Sequence, residues 1–171
     1  NSMPITVALR RKLLKVRLLS LDLDGVLTDG GLYYTAQGDE LRKFNVRDGL
    51  GIKLAQAAGF EIAILTASDI PAIIQRGRKL GISNVVTGVT DKLGAMTGLA
   101  ARLGLNFTEI AHVADDLNDL DLLGRVGVPM AVADAAPAVK RKAIYVTKMP
   151  GGAGAVREVC ELLIGLTAKK S

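Results

Sequence analysis

Short apolar runs alternate with longer segments of helical period along most of the chain. The apolar runs predict strands near Arg17–Asp22, Glu61–Leu65, Asn84–Thr87, Ile110–Ala114, Val128–Val132 and Ile144–Val146, and the intervals between them space apolar residues as an amphipathic helix does. Strands this continuously apolar belong to a parallel sheet covered by helices on both faces, so the expected class is α/β. In "VRDGLGIKLAQAAG" a helix is expected to open with Asp48 as N-cap and to stop at Gly59, and two later helices stop at Gly81 and Gly104. One interval departs from the alternation. In "GGLYYTAQGDELRKFNV", Leu32, Tyr33 and Tyr34 and then Leu41, Phe44 and Val46 flank Gln37-Gly38-Asp39, which predicts a β-hairpin inserted at residues 30–47. The insertion is too short for a lid domain, and its exposed aromatic and aliphatic side chains are expected to make an oligomer contact.

A length of 171 residues without an internal repeat or linker fits one domain, residues 1–171, with a basic N-terminal extension at 1–16 and a tail and helix at 149–171. The net charge of +5 changes this picture little, because "RRKLLKVR" and "AKKS" supply most of it and the middle is close to neutral. No basic patch is interleaved with aromatics, which excludes a nucleic-acid partner. No apolar run is long enough to span a bilayer and no secretory leader is read, so a cytoplasmic protein without membrane insertion is expected. The segment "ITVALRRKLLKV" is read as a solvated terminal helix rather than a membrane-surface one. Cys160 sits in the helical pattern "VREVCELLIGL", where a packing thiol is expected rather than a nucleophile.

The polar residues that break the apolar pattern collect at strand ends. Asp22 and Asp24 close the first strand, Thr66 and Ser68 follow "EIAIL", Lys92 follows "VVTGVTD", and Asp115, Asp116 and Asp119 follow "IAHVA". Ligands of an open parallel sheet bind beyond the carboxyl ends of its strands, so these groups are expected on one rim. Carboxylates gathered there repel one another and take up protons unless a cation neutralises them, which implies a hard, oxygen-liganded divalent ion such as Mg²⁺. Each aspartate alone could equally be a helix cap; the set on consecutive strand ends is what points to a site. His112, inside a strand, is read as a packed residue rather than a catalytic one.

"DLDGVLT" at 22–28, Thr66 after an apolar strand, Lys92, and "DDLND" at 115–119 resemble, in order, the four motifs of the haloacid dehalogenase superfamily of phosphohydrolases. With "DKLGAM" and "PGGAGAVREVCELL", the chain from Leu18 to about Leu163 resembles the small capless phosphatases acting on 3-deoxy-D-manno-octulosonate 8-phosphate. The resemblance implies a Rossmann-like three-layer α/β/α core without a cap domain, and a phosphorylated sugar acid as substrate. It implies Asp22 as nucleophile, Asp24 as general acid and base, Thr66 as a phosphoryl contact and Lys92 as the neutralising cation. Asp22, the carbonyl of Asp24 and Asp115 are expected to hold Mg²⁺, with Asp116 and Asp119 positioning its waters or Lys92. Gly25 serves the turn after the nucleophile, Ser68 is an expected substrate contact, and Arg76 is read either as a contact to the sugar-acid carboxylate or as a helix-surface arginine. The resemblance also implies the tail "MPGGAGAVRE" of a neighbouring subunit over the rim; a homotetramer is expected because a hairpin bearing Tyr33, Tyr34 and Phe44 cannot bury both faces on a domain whose sheet is already covered.

Three positions leave the family pattern. Ala114 stands where glycine precedes the fourth-motif aspartate, Ser68 where octulosonate phosphatases carry arginine, and Ala153 where their tail carries arginine. Phosphatases of nonulosonate 9-phosphates carry glutamate at both latter positions, so the sugar stays open. Two rivals are weighed. A receiver domain also pairs acids after its first strand, but its phosphorylated Asp precedes its Thr; here the second acidic cluster follows Lys92. A non-catalytic oligomerisation module is disfavoured by the presence of Asp22, Asp24, Thr66, Lys92 and Asp115 together.

Overall fold

A computed structural model describes residues 5–168; the outermost residues of both terminal segments lie outside the described residues. The strands are β1 (Leu18–Leu21), β2 (Tyr33–Tyr34), β3 (Glu40–Leu41), β4 (Glu61–Leu65), β5 (Asn84–Val86), β6 (Ile110–Ala114), β7 (Val128–Ala131) and β8 (Tyr145–Val146). The α-helices are α1 (Val7–Leu13), α2 (Val46–Ala57), α3 (Pro71–Leu80), α4 (Lys92–Leu103), α5 (Leu120–Leu123), α6 (Pro137–Lys142) and α7 (Ala155–Thr167). All six expected core strands form. They pair in parallel in the order β5-β4-β1-β6-β7-β8, and β2 with β3 makes the separate antiparallel hairpin. The chain runs outward from β1 in one direction and then in the other, so the strand order reverses beside β1. Such a reversal opens a crevice at the carboxyl ends of the flanking strands.

Strand alternation sorts side chains between the two helical layers. Leu19 and Leu21 of β1, Ile62 and Ile64 of β4 and Val113 of β6 join Ile52 of α2, Ile73 of α3 and Val159 of α7 in one core. Leu18, Ala63, Leu65 and Ile110 face the other way, against Met96 and Leu99 of α4 and Leu122 of α5. Ser20 and His112, paired in register across β1 and β6, share the parity of Leu18 and Ile110 and are fully buried. Cys160 is buried in α7, as expected.

Several local expectations need correction. Asn45, not Asp48, caps α2, accepting from the Arg47 amide at 2.8 Å. Asp48 lies in the first helical turn, where its carboxylate accepts from the Arg157 amide of α7 at 2.9 Å and so joins two helices. The N-terminal helix is not merely solvated: Leu9 and Leu13 of α1 enter the core and α1 packs on α7, while its arginines and lysine stay outside. The hairpin turns one residue earlier than expected, with the Gly38 amide bonded to the Thr35 carbonyl at 3.0 Å. Gly38 takes φ +90°, a conformation open to glycine. Phe44 turns inward against the core instead of joining the exposed hairpin face. Among the described residues, no helix is long and apolar enough to cross a membrane.

Candidate active site

Asp22, Thr66 and Asp115 each stand one residue beyond the adjacent strands β1, β4 and β6, and Lys92 opens α4 below them. Together with Asp24, Ala67, Ser68, Asp116, Leu117 and Asn118, the first three line an open cavity of about 460 Å³. A larger cleft of about 790 Å³ near Arg47, Lys148 and Arg157 includes none of the clustered carboxylates, so chemistry rather than size selects the site.

Asp22 is the centre of the arrangement. It is 5 % exposed, and its Oδ1 accepts from the Leu23 amide at 2.7 Å and from Lys92 Nζ at 2.9 Å. Lys92 also donates to Asp119, at 3.0 Å to Oδ2. Asp119 in turn meets His112 Nε2 at 2.9 Å, and His112 Nδ1 meets Ser20 Oγ at 2.9 Å. The two ring nitrogens of His112 thus join Asp119 to Ser20. A buried polar chain thus runs Ser20–His112–Asp119–Lys92–Asp22. It holds the ammonium with one carboxylate so that it can face the other, because leaving any of these groups unpaired would carry the full cost of desolvation.

Burial, then the charge of Asp119, push the Asp22 carboxyl well above the usual carboxylate range even though Lys92 pulls it down. Burial, then Asp116 and Asp119, push Asp115 up to about 6. Asp119 goes the other way: burial alone would raise it, but its bonds to His112 and the Lys92 charge hold it below the usual range. Lys92 is raised because Asp22 and Asp119 outweigh its own burial. Carboxylate oxygens of Asp22, Asp115 and Asp119 lie within 4.8 Å of one another, close enough to share a cation. The contacts of Asp119 with Lys92 and His112 leave Asp22 and Asp115 as the side chains free to do so. Asp116 is turned aside, capping the next short helical turn through the Leu117 amide at 2.8 Å.

Gly25 takes φ +78°, and a methyl group there would overlap Asp115 Oδ2; its service is to bring the Asp22 loop against Asp115. Gly151 and Gly152 bring the tail against the chain's own loop. The Gly152 amide donates to the Val26 carbonyl at 2.9 Å, and side chains at either glycine would strike the backbone of residues 25–29.

The remaining expected contacts divide. Thr66 is buried in the cavity wall with its hydroxyl accepting from the Ser68 amide at 3.1 Å. Arg76 is not in that wall: it donates to the Asn45 carbonyl at 3.3 Å and stacks over Phe44 at 5.4 Å. Ala153 lines the other cleft. Two participants escaped the sequence reading. His112 is buried as expected but carries the polar chain just described. Arg42 of the hairpin reaches Asp24, Nε donating to Oδ1 at 2.6 Å. The signal for both was parity: Ser20 and His112 are paired polar residues in buried strands, and Arg42 shares a hairpin face with inward-turning Phe44.

A model of haloacid dehalogenase-like hydrolases matches residues 79–158. The 3-deoxy-D-manno-octulosonate 8-phosphate phosphatase of Escherichia coli K12 is 43 % identical over 161 residues, covering 94 % of this chain and 86 % of the relative. Its counterpart from Yersinia pestis superposes with a TM-score of 0.94 at 39 % identity, over 99 % of this chain and 95 % of that one. The Moraxella catarrhalis enzyme, solved with a magnesium ion, a phosphate ion and a KDO molecule, superposes with a TM-score of 0.90 at 36 % identity over 92 % and 90 % of the two chains.

Proposed function

The chain belongs to the 3-deoxy-D-manno-octulosonate 8-phosphate phosphatases among the haloacid dehalogenase-like hydrolases, and we propose that it hydrolyses that phosphorylated sugar acid through an aspartyl-phosphate on Asp22. The observation that carries the reading is the pairing of Asp22 with Lys92 at 2.9 Å inside a cavity that also presents Asp24, Thr66 and Asp115. An Asp22 Oδ atom attacks phosphorus in line, forming the acyl-phosphate as the bond to the sugar oxygen breaks. Asp24 gives its proton to that oxygen and then takes one from the water that attacks phosphorus and frees Asp22. The Thr66 hydroxyl holds a phosphoryl oxygen, and Lys92 balances the charge gathered on phosphate and nucleophile. Splitting one very slow hydrolysis into two displacements needs both carboxyls, which is why this strand end carries Asp22 and Asp24.

Mg²⁺ would be held by the convergent oxygens of Asp22 and Asp115, and would supply Lewis-acid charge to the phosphoryl oxygens. A titration checks the fit. Without metal, Asp115 is raised to about 6 from an unfolded value of about 3.9. The folded protein therefore binds more protons than the unfolded chain between about pH 4 and 6, and its stability falls as pH rises through that window. A cation binds only the carboxylate forms. The rise in melting temperature on adding Mg²⁺ is thus expected to be small at pH 5 and larger at pH 7.5; an equal rise at both would contradict the assignment.

Among the described residues, the cavity wall contains no arginine, and Ser68 stands where octulosonate phosphatases carry one. Weak discrimination is therefore expected: losing one charged hydrogen-bonded contact costs about 1.5–3 kcal/mol. The test is phosphate release from 3-deoxy-D-manno-octulosonate 8-phosphate, a nonulosonate 9-phosphate and a carboxylate-free hexose phosphate, each with and without Mg²⁺. Release is expected only with the ion, with the octulosonate ester hydrolysed and modestly preferred. A best rate on the nonulosonate ester would reassign the sugar, and no release from any ester would leave the oligomerisation module as the reading.

Assembly as a homotetramer through the hairpin belongs to the same reading. Leu32, Tyr33, Tyr34 and Leu41 are half exposed or more, and Val46, Leu50 and Leu54 of α2 extend that apolar surface. Light scattering should give a tetramer for the intact chain and monomers after deletion of residues 32–44; a monomeric intact chain would refute the assembly.

A further inference from the structure

Arg42 belongs to an outward-facing hairpin but does not face outward. Its side chain is 4 % exposed, and its guanidinium is held from within the chain: Nε donates to Asp24 Oδ1 at 2.6 Å, Nη2 reaches Ser68 Oγ at 3.5 Å, and Nη1 forms an ion pair with Glu40. Glu40 is itself held by the Tyr34 hydroxyl at 3.1 Å. The Nε edge of the fork, one of the edges that a substrate carboxylate would need for a bidentate grip, is taken up by Asp24. Asp24 presents the opposite situation. Its side chain is 37 % exposed, and among the described residues Arg42 is its one side-chain partner. A short carboxylate at a cavity mouth keeps its rotamer freedom unless something fixes it.

We infer that Arg42 is a positioning residue: clamped by Glu40, it holds the Asp24 carboxyl at the cavity through which the proton is transferred. The inference rests on the phosphatase reading above and assigns the hairpin a task inside its own subunit. A displacement of about 1 Å in a catalytic group costs about 100-fold in rate without weakening the grip on substrate.

The test uses the purified full chain with Mg²⁺ and the ester of the panel that is hydrolysed fastest. Arg42→Met should lower kcat about 100-fold and leave KM within about threefold. Arg42→Lys, which keeps a charge for Asp24 but cannot bridge it to Glu40, should recover about tenfold of that loss. In an Asp24→Asn background the Arg42→Met change should cost under about threefold, since the carboxylate it positions is gone. Should Arg42→Met fail to fold, Arg42→Lys decides alone, with about a tenfold loss in kcat and none in KM. A raised KM at unchanged kcat, or equal losses with and without Asp24, overturns the inference while the phosphatase reading stands. A wild-type chain that releases no phosphate overturns both.

Discussion

Asp22→Asn should lower turnover by about 10⁴-fold or more while the fold survives. The amide keeps the size of the carboxylate and can still accept from the Leu23 amide and from Lys92, the contacts that hold Asp22 at 2.7 and 2.9 Å. It cannot attack phosphorus. The change also removes one of two buried like charges, so melting should occur at or above the wild-type temperature in metal-free buffer. Steady-state phosphate release together with a melting curve separates the outcomes. Turnover within tenfold of wild type would remove Asp22 from the mechanism, and a collapsed melting transition would mean that the loss reports folding instead.

Lys92→Met should be the more damaging change to the molecule as a whole. The ammonium lies between Asp22 and Asp119, all three almost wholly buried, and the variant leaves two carboxylates facing one another without it. Deleting one member of a buried ionic cluster costs about 3–5 kcal/mol. Loss of the charge that neutralises the phosphoryl group costs about a further 10³ in rate. The stability defect has a definite pH dependence. Burial and Asp119 already raise Asp22, and loss of Lys92 removes the contribution that lowers it. The folded variant therefore binds an additional proton relative to its unfolded chain, and its deficit shrinks as pH falls and Asp22 becomes neutral. Melting temperatures at pH 5 and pH 8 check this: a deficit equal at both values would contradict the assigned charge pairing.

The core fold and the gathering of the candidate residues on one rim were legible because they rest on short-range regularities. Apolar runs at regular intervals are what buried parallel strands require, and each strand end then places its next residue on one rim, so the sequence alone gathers Asp22, Thr66 and Asp115. What stayed hidden depends on contacts distant in sequence. Asp48 looks like a helix cap from its neighbours alone, but its carboxylate answers the start of α7, 109 positions later. Arg42 sits among exposed hairpin residues, and only the way the hairpin folds back, closed by the Thr28–Phe44 bridge, turns it to Asp24. His112 reads as packing because its partner Ser20 lies on another strand, 92 residues earlier. Arg76 shows the converse: its place in a motif suggested a substrate contact, and within this chain its guanidinium serves the Asn45 carbonyl.

The phosphoryl group itself can be followed. Mixing the chain with Mg²⁺ and 3-deoxy-D-manno-octulosonate 8-phosphate, quenching in acid within milliseconds and weighing the proteolytic peptides should show one phosphoryl group added to the peptide that contains Asp22. The Asp24→Ala variant, given an aryl phosphate whose leaving group needs no proton, should accumulate that species because it lacks the base for the second displacement. Rapid phosphate release with no phosphorylated peptide in either chain, or with the group on a peptide that lacks Asp22, would contradict the account.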